Sequence, residues 1–175
     1  MARAFVGIGS NIRPETNMKE ALLLLLKQVS VRQISTVYVT EPIGRPADAP
    51  YYNAVVEIKT EYSPLELKQQ VLRRIEAELG RERGSDRYAS RTIDLDLLLY
   101  DDIVMASDEL TLPDPDILAR PFLAFPLLEL APELTLPGST TRLADAAFGL
   151  PRGGMDPLPR YTDRLRKDIL HERTK

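Results

Sequence analysis

The chain has 175 residues, 43% of them hydrophobic and 28% charged, with a net charge of −3. That is the balance of one globular domain or one domain plus an extension. It contains no cysteine, no tryptophan and one histidine, His171. Disulfides, thiolate nucleophiles and cysteine-ligated zinc are therefore excluded, and a Ser-His-Asp triad or a multi-histidine metal centre has almost nothing to work with. A pI near 5.3 does not favour nucleic acid. Neither the N-terminal stretch MARAFVGIGSNIRPE nor the run ALLLLL reaches the length of a signal peptide or membrane span, so a cytoplasmic location is expected.

Residues 3–10, RAFVGIGS, read as a strand. From about 15 to 29, Met18, Ala21, Leu22, Leu25, Leu26 and Val29 fall at helical spacing. Residues 31–42, VRQISTVYVTEP, are rich in β-branched residues and stop at a proline, which predicts a strand. After the loop IGRPADAP, residues 51–61 alternate as another strand. Residues 63–80 carry strong helix signals: Ser63 as N-cap, Pro64 at the first position, Glu66 closing a capping box, an apolar stripe of Leu65, Leu72, Ile75 and Leu79, and Gly80 as stop. A polar, arginine-rich loop covers 81–92, and RTIDLDLLLYDD supplies the fourth strand. Beyond about 107 the chain is proline-rich with short helical pieces. Residues 150–159 read as a linker, and RYTDRLRKDILHERTK as a terminal helix with Leu165 and Ile169 at i and i+4.

The order strand, helix, strand, strand, helix, strand is the ferredoxin-like βαββαβ arrangement of an α+β fold, an antiparallel sheet with helices packed on it. The C-terminal elements add a further layer, giving three layers, α-β-α. Residues 1–137 are expected to form the main domain, and 138–175 an extension.

The fourth strand poses the chemical question. Alternation puts Asp94 and Asp96 on one face, about 6.5 Å apart at Cα, while Ile93, Leu95 and Leu97 take the other. Two like charges at that spacing need positive compensation. Arg81, Arg83, Arg87 and Arg91 precede the pair, Arg120 follows it, and Glu76 lies one turn before the end of the preceding helix. Paired carboxylates are hard oxygen ligands for Mg²⁺, and arginine forks match phosphate oxygens. Together they suggest a magnesium–nucleotide phosphoryl-transfer site. The plainer alternative is a solvated strand face beside a solvated charge run, with Arg73 and Glu76 as a surface pair. No GxxxxGK[ST] loop occurs, and Gly7 and Gly9 in GIGSN read as easing a strand end.

The string SRTIDLDLLLY, taken with GIGSN, PYYNAVVEIKT, LRRIEAELGRER and LTLPDPDILARPFLAFPLLELAPEL in order, resembles the 6-hydroxymethyl-7,8-dihydropterin pyrophosphokinases over about residues 3–137. The resemblance implies a ferredoxin-like fold and transfer of the pyrophosphoryl group of ATP to the hydroxymethyl oxygen of a reduced pterin, releasing AMP. It implies that Asp94 and Asp96 bind two Mg²⁺ ions, with Arg81 and Arg91 acting with them. Glu76, Arg83, Tyr88, Leu97 and Thr111 would line the ATP site. Arg120 would sit between the phosphates and the pterin. Thr40, Pro42, Ile43, Tyr51, Asn53 and Phe122 would form the pterin pocket, Tyr51 and Phe122 sandwiching the ring. This sequence departs from the family pattern at Asp114, followed by Pro115, where a histidine followed by an aromatic or proline is usual, and at Glu109 and Arg73. A catalytically weak homologue, a two-metal nucleotidyl transferase or cyclase, and an RNA-recognition domain are the rival readings.

Overall fold

A computed structural model describes residues 1–42, 44, 47–81, 84 and 90–171. Strand β1 (Ala2–Ser10) leads through α1 (Pro14–Leu26) to β2 (Ser30–Ile34) and β3 (Tyr38–Thr40), then β4 (Tyr51–Thr60). A helical segment follows as α2 (Pro64–Glu66), a π-helical stretch (Leu67–Leu72) and α3 (Arg73–Glu78). Next come β5 (Asp94–Tyr100), the hairpin β6 (Met105–Ala106) and β7 (Thr111–Leu112), a 3₁₀ turn (Pro115–Leu118) and α4 (Pro121–Leu130). The tail adds α5 (Leu143–Phe148), β8 (Met155–Pro157) and α6 (Pro159–Leu170).

The main sheet runs β5-β1-β4-β3-β8, with β2 sharing the β4 edge with β3, and all its pairings are antiparallel. This is the expected α+β arrangement. On one face α1, the 64–78 helix and α6 bury Met18, Leu22, Leu72, Ile75 and Leu165 against Val6, Ile8, Ile58, Leu95 and Leu97. On the other, α4 and α5 place Leu123, Leu127 and Leu143 against Phe5, Val55, Leu98 and Leu99. Each such buried Leu or Ile contributes about 1.5–3 kcal/mol of transfer free energy. Pairing shifts between Phe5 and Val6, so β5 bulges there and both Leu98 and Leu99 reach the second core.

The capping box forms as its spacing implies: Ser63 N donates to Glu66 Oε2 at 2.9 Å and Glu66 N to Ser63 Oγ at 3.4 Å. Three expectations change. Residues 31–42 are not one strand, because Ser35 interrupts them. Its N–H donates to Val55 O and its hydroxyl accepts from Val55 N, both at 2.9 Å, so a side chain stands in for a ladder partner. The 64–78 helix relaxes to π geometry in its middle. The stretch read as a linker supplies β8, which covers the otherwise open edge of β3.

Candidate active site

Three strands present one row of residues to the α4 face of the sheet. In register, Asp94 on β5 stands opposite Gly9 on β1, which stands opposite Asn53 on β4. One step along the face, Asp96 is opposite Gly7 and Gly7 opposite Val55. The glycines therefore sit within the central strand, not at a frayed end, and they leave a trough between the acidic strand and the Asn53 strand. A Cβ on Gly7 would approach Leu123 Cδ2 to 3.1 Å, and one on Gly9 would stand 2.7 Å from Asn53 Oδ1. Leu123 of α4 covers the face at Gly7. Past it the face is open, and a cleft of about 390 Å³ results.

That cleft gathers most residues singled out from the sequence. Glu76, Arg81, Arg91, Asp94, Asp96 and Arg120 line it together with Thr40, Tyr51, Asn53 and Phe122. Gly7, Gly9, Lys68 and Arg73 are also among its walls. A second cavity of about 160 Å³ adjoins, lined by Leu97, Thr111, Asp114 and Pro115 with Lys68, Leu95 and Asp96. Asp96 thus borders both spaces. Pro42 is buried and lines neither cavity. Ile43, Arg83 and Tyr88 lie outside the described residues.

On the acidic side, Asp94 gives each carboxylate oxygen to an arginine: Oδ1 accepts from Arg81 Nη1 at 2.7 Å and Oδ2 from Arg91 Nη1 at 2.6 Å. Arg81 also pairs with Glu76 Oε2 through the same nitrogen. Glu76 is only 2% exposed, and its Oε1 accepts from the Leu95 backbone N–H at 3.2 Å. It is not the partner of Arg73 in a surface pair but a buried post that fixes Arg81 against β5. Burial alone would lower the Arg81 pKa, but Asp94 and Glu76 outweigh it and raise it, so the guanidinium stays charged. Arg91 is fixed by Asn11: Arg91 N donates to Asn11 Oδ1 at 2.8 Å, and Asn11 N to Arg91 O at 3.2 Å. The Asn11 amide also donates to Ala49 O and Ser90 Oγ. Sequence reasoning passed over Asn11, although it is the last residue of GIGSN.

Among the described residues no ion pair holds Asp96. It is open to the cleft, on a floor crowded by protein, and that desolvation together with the charges of Asp94, Asp114 and Glu76 pushes its carboxyl up to about 8. A divalent cation bound beside Asp96 would offset the like charges that raise its carboxyl. The donors fit a hard divalent ion that keeps waters and completes its shell from substrate phosphates.

On the opposite side, Asn53 Nδ2 donates to Thr40 Oγ1 at 2.7 Å, joining β4 to β3. The Tyr51 hydroxyl pKa is raised by burial, so the phenol stays neutral. Asp114 caps the 3₁₀ turn, accepting from Asp116 N at 2.9 Å. Glu109, in the β6–β7 turn, meets the 64–78 helix: its carboxylate accepts from the Gln69 amide and its carbonyl from Lys68 Nζ.

The sequence model of the 7,8-dihydro-6-hydroxymethylpterin-pyrophosphokinase family matches residues 5–132. The chain belongs to this family. It is thus a pyrophosphokinase, an enzyme whose family uses ATP as co-substrate. The 2-amino-4-hydroxy-6-hydroxymethyldihydropteridine pyrophosphokinase of Haemophilus influenzae is 41% identical over 143 residues, covering 79% of this chain and 88% of that protein. The Pseudomonas aeruginosa enzyme of the same name is 35% identical over 161 residues, 90% and 97% of the two chains. Among solved structures, Plasmodium falciparum HPPK-DHPS crystallised with pteroate superposes with a TM-score of 0.68 at 12% identity. The match covers 95% of this chain and 45% of that one, and shows the shared fold. No helix among the described residues is long and apolar enough to cross a membrane.

Proposed function

We propose that the chain transfers the pyrophosphoryl group of ATP to the hydroxymethyl oxygen of 6-hydroxymethyl-7,8-dihydropterin, releasing AMP, as a step of folate synthesis. The observation that carries this reading is the position of Asp96 where the two cavities meet. A flat heterocycle in the larger cleft and a nucleotide reaching from the smaller one bring their reacting groups together over Asp94 and Asp96.

In this assignment Tyr51 and Phe122 flank the pterin ring, and Asn53 offers its edge both a donor and an acceptor. Thr40 sets the rotamer of Asn53 through the bond between them. Leu97 and Thr111 line the nucleotide side. The resemblance assigns Arg83 and Tyr88 to the ATP side and Ile43 to the pterin side. Asp94 and Asp96 would hold two Mg²⁺ ions, which supply charge neutralisation on the triphosphate. Both Asp94 oxygens now face arginines, so Arg81 and Arg91 must exchange that carboxylate for phosphate oxygens when the nucleotide arrives. Glu76 keeps Arg81 anchored during the exchange. Arg120, lying at the N-terminus of α4, completes the cationic wall on the side of Phe122. Positioning and charge stabilisation carry such a transfer, and no side chain is needed as nucleophile. A cytoplasmic setting goes with ATP as the donor.

The test is product analysis with purified protein, ATP, Mg²⁺ and the reduced pterin. AMP and pterin diphosphate should form in equal amounts, and only when both substrates are present. Release of pyrophosphate instead would mark a nucleotidyl transferase, and ATP turnover indifferent to pterin would overturn the reading.

A further inference from the structure

The strand that carries Thr40 is held from outside by the C-terminal segment. Strand β3 is three residues long and pairs on its inner side with β4, Thr40 opposite Tyr51 and Tyr38 opposite Asn53. Its outer side pairs with β8, Thr40 opposite Met155 and Tyr38 opposite Pro157. Just before β3, the break at 35–37 leaves backbone groups that the sheet does not satisfy, and the tail takes them up. Val37 N donates to Thr162 Oγ1 at 2.9 Å in a buried bond, and Leu158 N donates to Val37 O at 2.9 Å. Arg166 Nε donates to Ile34 O at 2.9 Å. The Arg166 guanidinium also pairs with Glu129 of α4 at 3.1 Å, and Glu129 in turn accepts from Thr36 N at 2.9 Å. Thr162 is 2% exposed, so no water replaces its oxygen.

We infer that Thr162 and Arg166 are positioning residues for the pterin-binding edge, acting through β3 on Thr40 and Asn53. A short strand with a break at its start has few bonds of its own, and its placement is set by what borders it. When the acceptor at Thr162 is lost, the buried Val37 N–H has no partner and the break must shift to find water. The shift reaches Thr40 three residues on and changes the rotamer of Asn53. The nucleotide side is built on β5, α3 and the β6–β7 hairpin, and among the described residues the bonds of this clasp run to none of them. The C-terminal segment is therefore a selective determinant of pterin affinity. The inference rests on the pterin reading of the Thr40–Asn53 side.

The experiment uses the full chain with Thr162→Val, which keeps shape and loses the acceptor, Thr162→Ser, which restores it, and Arg166→Met. Steady-state AMP release is measured against pterin and against ATP separately, with thermal melts alongside. The expected result is a pterin KM raised about tenfold in Thr162→Val and Arg166→Met, an unchanged ATP KM, and recovery in Thr162→Ser. Equal rises in both KM values, or lower melting temperatures with wild-type KM values, would overturn the inference. If Thr162→Val does not fold, Arg166→Met, on the solvent side of the clasp, gives the same readout. Wild-type protein that makes no AMP from pterin defeats the assignment of the reaction, whereas unmoved pterin KM values in an enzyme that turns pterin over defeat only the role of the tail.

Discussion

Gly9 and Asn53 face each other across β1 and β4, and a Cβ on Gly9 would lie 2.7 Å from the Asn53 Oδ1. The amide that Thr40 orients is thus placed in a space that exists because the central strand has no side chain there. Gly9→Ala should push Asn53 off its bond to Thr40 and raise the pterin KM by about tenfold or more, the scale of a displaced hydrogen-bonding group. The ATP KM should stay near wild type. Steady-state kinetics with each substrate varied in turn check this.

Asp114 lines the smaller cavity, which the proposed function gives to the nucleotide, and its charge is one of those pushing the Asp96 carboxyl up. It also caps the 3₁₀ turn, which an asparagine does equally well. Asp114→Asn should therefore keep the turn and remove a repulsion, lowering the KM for MgATP by about 2–5-fold, as expected for a like-charge contact screened by water. A KM that rises would mean that the carboxylate assists nucleotide binding and is not merely tolerated.

The Asp96 carboxyl, raised from the usual 3.8 to about 8, makes a pH prediction for the metal-free enzyme. Between those values the folded chain holds a proton that the unfolded chain has released, so this group's contribution to stability falls as pH rises from about 4 to 8. Asp96→Asn cannot ionise. In chelator its melting temperature should exceed that of the wild type at pH 9, with the gap closing towards pH 4. Added Mg²⁺ should narrow the gap at pH 9 by stabilising the wild type more. A gap independent of pH would show that Asp96 titrates normally.

Much of this was legible in the sequence because it is local. The alternation of RTIDLDLLLY places Asp94 and Asp96 on one face, and Ser63, Pro64 and Glu66 announce their own helix. The pairing of Gly9 with both Asp94 and Asn53 is not local. It depends on the register of three strands far apart in the chain, so the glycines of GIGSN read as a strand end. Glu76 was expected near the entrance of the arginine loop, with a surface pair to Arg73 as the plainer alternative, and only the fold shows that it binds Arg81 and the Leu95 backbone. Residues 150–159 looked like a linker because Met155–Pro157 has no strand pattern of its own and becomes a strand only on meeting the free edge of β3.

The most direct measurement is AMP release by Asp96→Ala, with ATP, reduced pterin and Mg²⁺ varied over a wide range. If the carboxylates of β5 hold the cations that tether the triphosphate, the rate should fall by about 10²–10³-fold, and excess Mg²⁺ should recover little of it. AMP formation by Asp96→Ala at near wild-type rate and with the same Mg²⁺ dependence would contradict the assignment.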